Sequence, residues 1–597
     1  MKGNPNPKPE EEEKRLQEEL LGPILVAERV IKLAEEAESS KTVCRELATK
    51  VQILCENLRA VVRAVSANPS LNERPIRRMA ADVSKCLDKT LSLVRKCRKQ
   101  PGVLRHVWSM RTTGDLRKVW SLLESSNGDM MWLLSIFESK GTNLSLPPIA
   151  SNDPILAWVW TYTYTLQLGS AKDRAEAATG LGSLARDNDR NKFIIMEEGG
   201  VLPLIKLLKD SAYPDAQVAA ANALVNIASN QLGVVRFLLP SLAVPAIVQV
   251  LSDSPFRVRV SVASLVSTMA DQDPVAREEF ARANVTRPLV SLLAMDTVLA
   301  DPMAARTSSI HSLVVNLSEG NLNAAGGRGG QQNRRDREKE GESAELRNAV
   351  KTSCAEALWK LSKGCLLTCK KISETKGLLC LAKIVESESG DLRFNCLMAV
   401  MEIAAVAESN AELRRVAFKP NTTAAKAVLD QLLRVVCEES DSALLVPAIK
   451  SIGSLARNFP GKVPQVIGPL VAQLGNRDID VASEAAIALA KFVCPENYNC
   501  VEHSKVILEL DGIPKLMSLL QINDRQQVYG LKLLCYLALN VGDSKILEEE
   551  RTLSTLEKLA RPVLSQHPDL KELLAKAIHH LTLYQSGAQL HRQPLGL

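Results

Sequence analysis

The sequence predicts an all-α protein: an N-terminal helical bundle followed by a solenoid of stacked helical units. Three observations predict it. Apolar residues recur at spacings of three and four along the periodic segments and nowhere alternate strictly, which is the pattern of helix rather than strand. The run Ala-Leu-Val-Asn-Ile-Ala at 223–228 recurs loosely down the chain, its last position falling at Ala185, Ala228, Ala270, Ser318, Ser362, Ala404, Ala456, Ala490 and Ala538, at intervals of 34 to 52 residues. That period belongs to two- or three-helix repeats, each exposing an apolar face that only a neighbouring unit covers. The 597 residues are also 46% apolar and only 4% aromatic, too long for one compact core and suited to stacked helices.

The polar, Pro- and Glu-rich start, residues 1–11, is expected to be disordered. Residues 12–140 read as a four-helix bundle. Its first helix, about 12–39, carries a stripe of Leu16, Leu20, Ile24, Ala27, Ile31 and Ala34. The second, 41–67, places Cys44, Leu47, Val51, Leu54, Leu58, Val61 and Val65 inward and stops at Asn68-Pro69-Ser70. The third, 72–99, turns Ile76, Met79, Val83, Leu87, Leu91 and Val94 inward and a basic face outward. The fourth begins near Asp115 and includes Leu116, Val119, Leu122, Leu123 and Trp132.

Residues 141–153 form a linker, and 154–170 a capping helix too short to span a bilayer. Five of the six Trp residues, 108, 120, 132, 158 and 160, fall between 108 and 160 and mark the joint between bundle and solenoid. From 171 to 585 the units run helix, short helix, Gly-Gly break and Leu-rich helix. The Gly pair at 199–200 permits the sharp turn between the last two. A polar, Gly-rich insertion at 320–344 is expected to be disordered, and 586–597 is a tail. GGRGG at 326–330 is no phosphate loop, lacking the Lys-Ser/Thr that would follow.

The net charge of +6 is concentrated. Between Arg74 and Lys118 stand thirteen Lys or Arg against Asp82, Asp88 and Asp115, enough to attract an acidic partner or anionic lipid. The patch comprises Arg77, Arg78, Lys85 and Lys89, then Arg95, Lys96, Arg98 and Lys99 on the third helix. The alternative is a solvated face balanced by the Glu residues of the first helix. The N-terminal stretch lacks a signal-peptide h-region, and thirteen Cys within apolar patterns read as small buried hydrophobes of a reducing compartment. A cytoplasmic protein, peripheral at the plasma membrane through partners and with a nuclear pool, is expected. Cys494, Cys500 and His503, and the Cys365/Cys369 pair, lack the duplicated Cys pairs of a zinc site. No catalytic set, metal or cofactor is expected.

EEGGVLPLIKLLKD at 197–210 followed by PDAQVAAANALVNIAS at 214–229 resembles the armadillo repeat consensus, and 171–540 follows that layout. With the helical N-terminal domain and no other module, the chain resembles the plant armadillo-repeat-only proteins over nearly its full length. That resemblance implies a non-enzymatic scaffold in polarised, tip-growing cells, associated with plant Rho-type small GTPases and the GTPase-activating proteins that inactivate them. It also implies a concave groove lined by the long helix of each unit: Asn222, Asn226, Asn316, Glu356 and Lys360, then Glu402, Lys450, Arg457 and Lys491. This face changes from neutral amides to mixed charge beyond residue 350, and partners are expected to span both halves.

Nuclear import receptors carry a ladder of Trp and Asn on these helices. Here the Asn position keeps only Asn226 and Asn316, and the Trp position holds no Trp, which argues against that role. Plant ubiquitin ligases of similar layout need a U-box where this chain has only the 141–153 linker. The alternatives to the adaptor are a membrane-surface protein held by the basic third helix, or a nuclear-transport or nucleic-acid-associated protein, the last disfavoured by the missing ladder.

Overall fold

The computed structural model describes residues 9–38, 40–68, 71–98, 105–138, 147–151, 153–240, 244–297, 332–458, 463–521 and 527–591. Among the described residues there is helix and no strand, and the chain divides into two compact units, 1–265 and 266–597.

The first unit opens with α1 (Pro9–Glu35), α2 (Lys41–Ala67), α3 (Glu73–Arg98) and α4 (Arg105–Glu138). Helices α1 and α4 each pack against both α2 and α3, so the four apolar stripes close on one core. Every inward residue expected on α2 and α3 is buried. Two expectations shift: Val30 rather than Ile31 is buried on α1, and Leu122 on α4 is exposed.

Boundaries move as well. Residues 9–11, expected to be disordered, form the first turn of α1, where Pro9 fits because its missing N–H would be unpaired anyway. Helix α4 starts ten residues before Asp115 and runs through Gly114, since one helical Gly costs only about 1 kcal/mol. Of the linker, 141–146 lies outside the described residues. The remainder contains a one-turn 3₁₀ helix (Pro148–Ala150), tied to α4 where the Ile149 N–H donates to the Asp129 carboxylate at 2.8 Å.

Helix α5 (Pro154–Leu168) is the expected cap, with Trp160 and Tyr164 fully buried. Trp160 meets Trp132 at 6.1 Å between ring centroids and Tyr164 meets Phe137 edge-on at 5.6 Å, so aromatic residues do build the joint between bundle and repeats. The Trp108 side chain lies outside the described residues. The compact units therefore do not divide at the 141–153 linker: the bundle, the cap and the first repeats form one body.

The repeats of the first unit are α6 (Ala171–Ala185), α7 (Asp189–Glu197) and α8 (Val201–Lys209), then α9 (Pro214–Ala228), α10 (Leu232–Leu238) and α11 (Val244–Asp253). Helix α12 (Phe256–Gln272) contains the division between units. The second unit continues with α13 (Pro274–Arg282), α14 (Thr286–Leu293), α15 (Gln332–Ser362), α16 (Leu366–Glu374), α17 (Gly377–Ser387) and α18 (Gly390–Ser409). Next come α19 (Ala411–Ala417), α20 (Thr423–Glu438), α21 (Ser442–Ser454), α22 (Val463–Gln473) and α23 (Ile479–Val493). Helices α24 (Cys500–Glu509), α25 (Gly512–Gln521), α26 (Gln527–Asn540), α27 (Lys545–Glu549), α28 (Thr552–Gln566) and α29 (Lys571–His591) complete it.

The expected disordered insertion is cut short. Residues 320–331 lie outside the described residues, but 332–344 form the first turns of α15, because extending an existing helix avoids the cost of nucleating one. The tail expected from 586 likewise begins as helix, up to His591. No described helix is long and apolar enough to cross a membrane.

The Gly-Gly turn behaves as expected. Gly199 has φ +82°, and Gly200 lies so close to Ile195 that a Cβ there would sit 2.9 Å from its Cγ2. The recurring anchor positions, among the described residues, are all buried. Three residues before the anchor Ala456, Gly453 lets successive long helices approach: a Cβ there would lie 2.8 Å from the Ala488 Cα on the next long helix.

Candidate protein-binding face of the long helices

In the first unit α5 packs on α6 and α6 on α9. In the second, α15, α18, α21, α23, α26 and α29 stack in chain order. The solvent side of these stacks is the face read from the sequence. In the first unit Asn222 is exposed, whereas Asn226 is half-buried and its Nδ2 donates to the Gly182 carbonyl at 3.1 Å. Asn226 thus ties two repeats together. Asn316 lies outside the described residues.

In the second unit the predicted residues fall into two kinds. Some are committed to partners within the face. The Lys360 ammonium lies 3.4 Å from the Asp271 carboxylate and 3.9 Å from the centre of the Trp359 ring, and Lys363 meets the same carboxylate at 2.9 Å. Burial pushes the Asp271 carboxyl upward, but the two lysines outweigh it and hold it below the ordinary range. Lys491 reaches Glu408 at 2.6 Å and the Ser454 hydroxyl at 3.5 Å.

Others face solvent without an ion pair to a described residue. Glu356, half-buried, accepts from the Ser267 hydroxyl at 3.1 Å. Glu402 edges a shallow cavity of about 360 Å³ together with Gly364, Leu366, Ala405 and Val406. Lys450 is exposed, as is Arg457 on a one-turn 3₁₀ helix (Ala456–Asn458) after α21. Two neighbouring carboxylates feel these cations. Burial raises the Glu484 carboxyl against the pull of Lys450 and Lys491. The Cys494 thiol, hydrogen-bonded to Glu496, lowers that carboxyl, and Arg457 and Lys532 add to the effect.

Lys532 and Tyr536 were not among the predicted residues, yet they belong to the face: Lys532 is exposed, with its ammonium 5.9 Å from the Tyr536 ring. The signal was present, since Lys532 stands six residues before its anchor, Ala538, as Glu356 and Lys450 stand before theirs.

The basic face of α3 is partly neutralised. Arg77 pairs with Glu19 of α1 and with Glu73, Arg78 with Glu198 at 2.6 Å, and Lys85 with Asp82 at 3.0 Å. Lys89, Arg95 and Lys96 remain exposed with no ion pair to a described residue. The Arg98 side chain and Lys99 lie outside the described residues.

Glu198, from the EEGG run, was not singled out by sequence. Its carboxylate accepts from the Trp160 indole N–H at 2.8 Å and from Arg78, while its carbonyl accepts from the Asn72 amide. Tyr164 closes the set by donating to the Asn72 carbonyl at 3.0 Å. Glu198 thus helps fasten the bundle and its cap to the first repeat, beside the Arg74 guanidinium, which donates to the Met196 carbonyl at 3.3 Å. No group of residues able to hold a metal ion occurs among the described residues. Ten of the thirteen cysteines are buried; Cys437 is exposed, and Cys494 and Cys500 are half-buried.

Comparison with known families identifies two segments. A domain of unknown function (DUF7792) matches residues 17–138, which are the bundle. The armadillo/β-catenin-like repeat matches residues 188–229, from the start of α7 to the end of α9. No curated protein matches the chain. Among solved structures, an engineered protein from the Northeast Structural Genomics Consortium is 21% identical with a TM-score of 0.46, covering 71% of this chain and 99% of that one. A computationally designed armadillo repeat protein for modular peptide recognition is 18% identical with a TM-score of 0.36, covering 49% of this chain and 98% of its own. The repeat match at 188–229, the recurring buried anchors and the stacked long helices together mark an all-α solenoid of armadillo-repeat type.

Proposed function

We propose that the protein is a non-enzymatic adaptor that gathers protein partners on the face of its long helices. In this reading the partners are Rho-type small GTPases and the GTPase-activating proteins that switch them off, and the setting is polarised tip growth in plants. The supporting observation is the charged row on α15 to α26, where Lys450, Arg457 and Lys532 are exposed and half-buried Glu402 edges a cavity, none of them in an ion pair with a described residue. Charges without an internal ion pair are available to oppositely charged groups of a partner. The particular partners are carried by the architectural likeness to plant armadillo-repeat-only proteins.

The test is capture on the immobilised full chain. Purified Rho-type GTPase, in its GDP and GTP-analogue forms, and its GTPase-activating protein are offered separately. At least one should be retained, and Lys450→Glu with Arg457→Glu should release it. Loss of none of the binding on this double reversal moves the site elsewhere, and absence of all binding overturns the GTPase reading. Lys360 and Lys491 are poorer targets than the sequence suggested, because reversing them would set Glu against Asp271 and Glu408.

A second reading rests on Lys89, Arg95 and Lys96, exposed together on α3: the bundle attaches the protein to the anionic inner surface of the plasma membrane, with the remainder cytoplasmic. Each basic residue near such a surface contributes about 1 kcal/mol, so three give reversible attachment that partner capture would reinforce.

A further inference from the structure

The long-helix face of the second unit has an electrical direction. On α15 and α18 the ammonium groups of Lys360 and Lys363 share the Asp271 carboxylate, and with Glu356 and Glu402 three carboxylates stand against two cations. From α21 onward the balance inverts. Lys450, Arg457 and Lys532 are exposed without an ion pair to a described residue, while Lys491 is held by Glu408. The carboxylates nearby are Glu484, half-buried and acted on by the charges of Lys450 and Lys491, and Glu496, acted on by those of Arg457 and Lys532. Acid therefore predominates at one end of the row and base at the other.

We propose that this face receives an extended partner segment that is bipolar, basic where it crosses α15 and α18 and acidic where it crosses α21 to α26. The inference rests on the partner-binding reading above and adds the chemistry of what is bound. Charge complementarity selects the occupant: a uniformly basic segment would meet Lys450, Arg457 and Lys532, and a uniformly acidic one would meet Glu356 and Glu402. Beside Glu402, Leu366, Ala405 and Val406 form an apolar wall against which the aliphatic stem of a Lys or Arg can lie while its head reaches the carboxylate. At the other end Tyr536 offers a half-buried ring beside the Lys532 ammonium, a flat platform next to the cation that would hold an acidic side chain. Neighbouring helices stand about 9 Å apart and an extended chain advances about 3.3 Å per residue, so a segment of roughly eleven residues spans α15 to α26.

Three fluorescein-labelled peptides of roughly twelve residues test this by anisotropy on the full chain: one with a Lys/Arg block and an Asp/Glu block joined by Gly-Ser, one wholly basic and one wholly acidic. The bipolar peptide should bind about tenfold or more tighter than either of the others. The variant Lys450→Glu, Arg457→Glu, Lys532→Glu makes the whole row acidic and should switch preference to the wholly basic peptide. This outcome does not depend on which way the peptide runs. Equal binding of bipolar and basic peptides by the wild type, or no switch in a variant whose thermal melt is unchanged, overturns the inference. Ala405→Trp, or Ser409→Trp at the exposed edge of the same cavity, separates this failure from that of the underlying reading. If these bulky residues block capture of the GTPase or its regulator while charge reversal changes no preference, the face binds partners but is not read by polarity. If they leave capture intact, the partner-binding reading and this inference fall together.

Discussion

A single carboxylate records how the bundle is tied to its own linker. Asp129 is almost fully buried, and burial pushes its carboxyl up to about 6, against the hydrogen bond from Ile149 and with a smaller contribution from Asp82. Because the folded value lies above the ordinary 3.8, this group contributes stability that is fully present below the ordinary value and is lost as pH rises through about 6. Asp129→Asn keeps an oxygen for the Ile149 N–H and removes the buried charge. It should melt higher than the wild type at pH 7.5, by at most about 3 kcal/mol of stability, with the advantage gone near pH 4; an advantage independent of pH would contradict the assignment. At Glu198 the direction reverses. Glu198→Ala strands the fully buried Trp160 indole N–H and frees Arg78, and should cost about 1–3 kcal/mol in chemical unfolding of the full chain. Neither residue stood out in the sequence, because Asp and Glu look alike wherever they occur; only the packing around them gives these two their weight.

At the scale of elements, small residues decide how closely repeats stack. A Cβ at Gly453 would lie 2.8 Å from backbone of the next long helix, which cannot swing aside, whereas a Cβ at Gly114 on α4 meets nothing within 4 Å. The same substitution should therefore have opposite signs. Gly453→Ala should destabilise by about 1–3 kcal/mol through overpacking, and Gly114→Ala should stabilise by about 0.5–1 kcal/mol through helix propensity. Paired urea titrations decide it, and equal effects would mean the repeats relax around the added methyl. The anchors were legible because small residues recurred at a fixed place in each unit. The true start of α4 was not, because Gly114 resembles a boundary unless one knows that nothing crowds it.

At the scale of the whole molecule the unequal distribution of charge becomes a localisation question. Of the basic residues on α3, Arg77, Arg78 and Lys85 are paired with carboxylates of their own unit, while Lys89, Arg95 and Lys96 are not. Flotation of the full chain with phosphatidylserine vesicles should carry protein upward at low salt and release it at high salt, as screening shortens the range of the attraction. Replacing Lys89, Arg95 and Lys96 by Ser should abolish flotation, whereas Arg77→Ser should not. Equal recovery with neutral vesicles would leave this patch as ordinary surface and make localisation depend on the partners of the long-helix face.

The sequence by itself determined the all-α class, the four-helix bundle, the aromatic joint and the positions of the repeats. All are written in local periodicity, and the 3.6-residue stripe and the recurring small anchor need no knowledge of distant residues. The charged row of the second unit can be read along the chain at a few offsets from the anchors: Glu356 and Lys450 stand six residues before theirs, Lys360 and Glu402 two before, Arg457 and Lys491 one after. Which of those charges are free was decided only by the tertiary structure. Lys360 and Lys450 look equivalent along the chain, but Asp271, 89 positions before Lys360, holds one of them while the other faces water without an ion pair to a described residue. The joining of the bundle to the first repeats was likewise invisible, since it depends on Glu198 meeting Trp160, Arg78 and Asn72. A charge acts according to what lies within a few ångströms of it, and in a folded chain those neighbours come from far away in sequence.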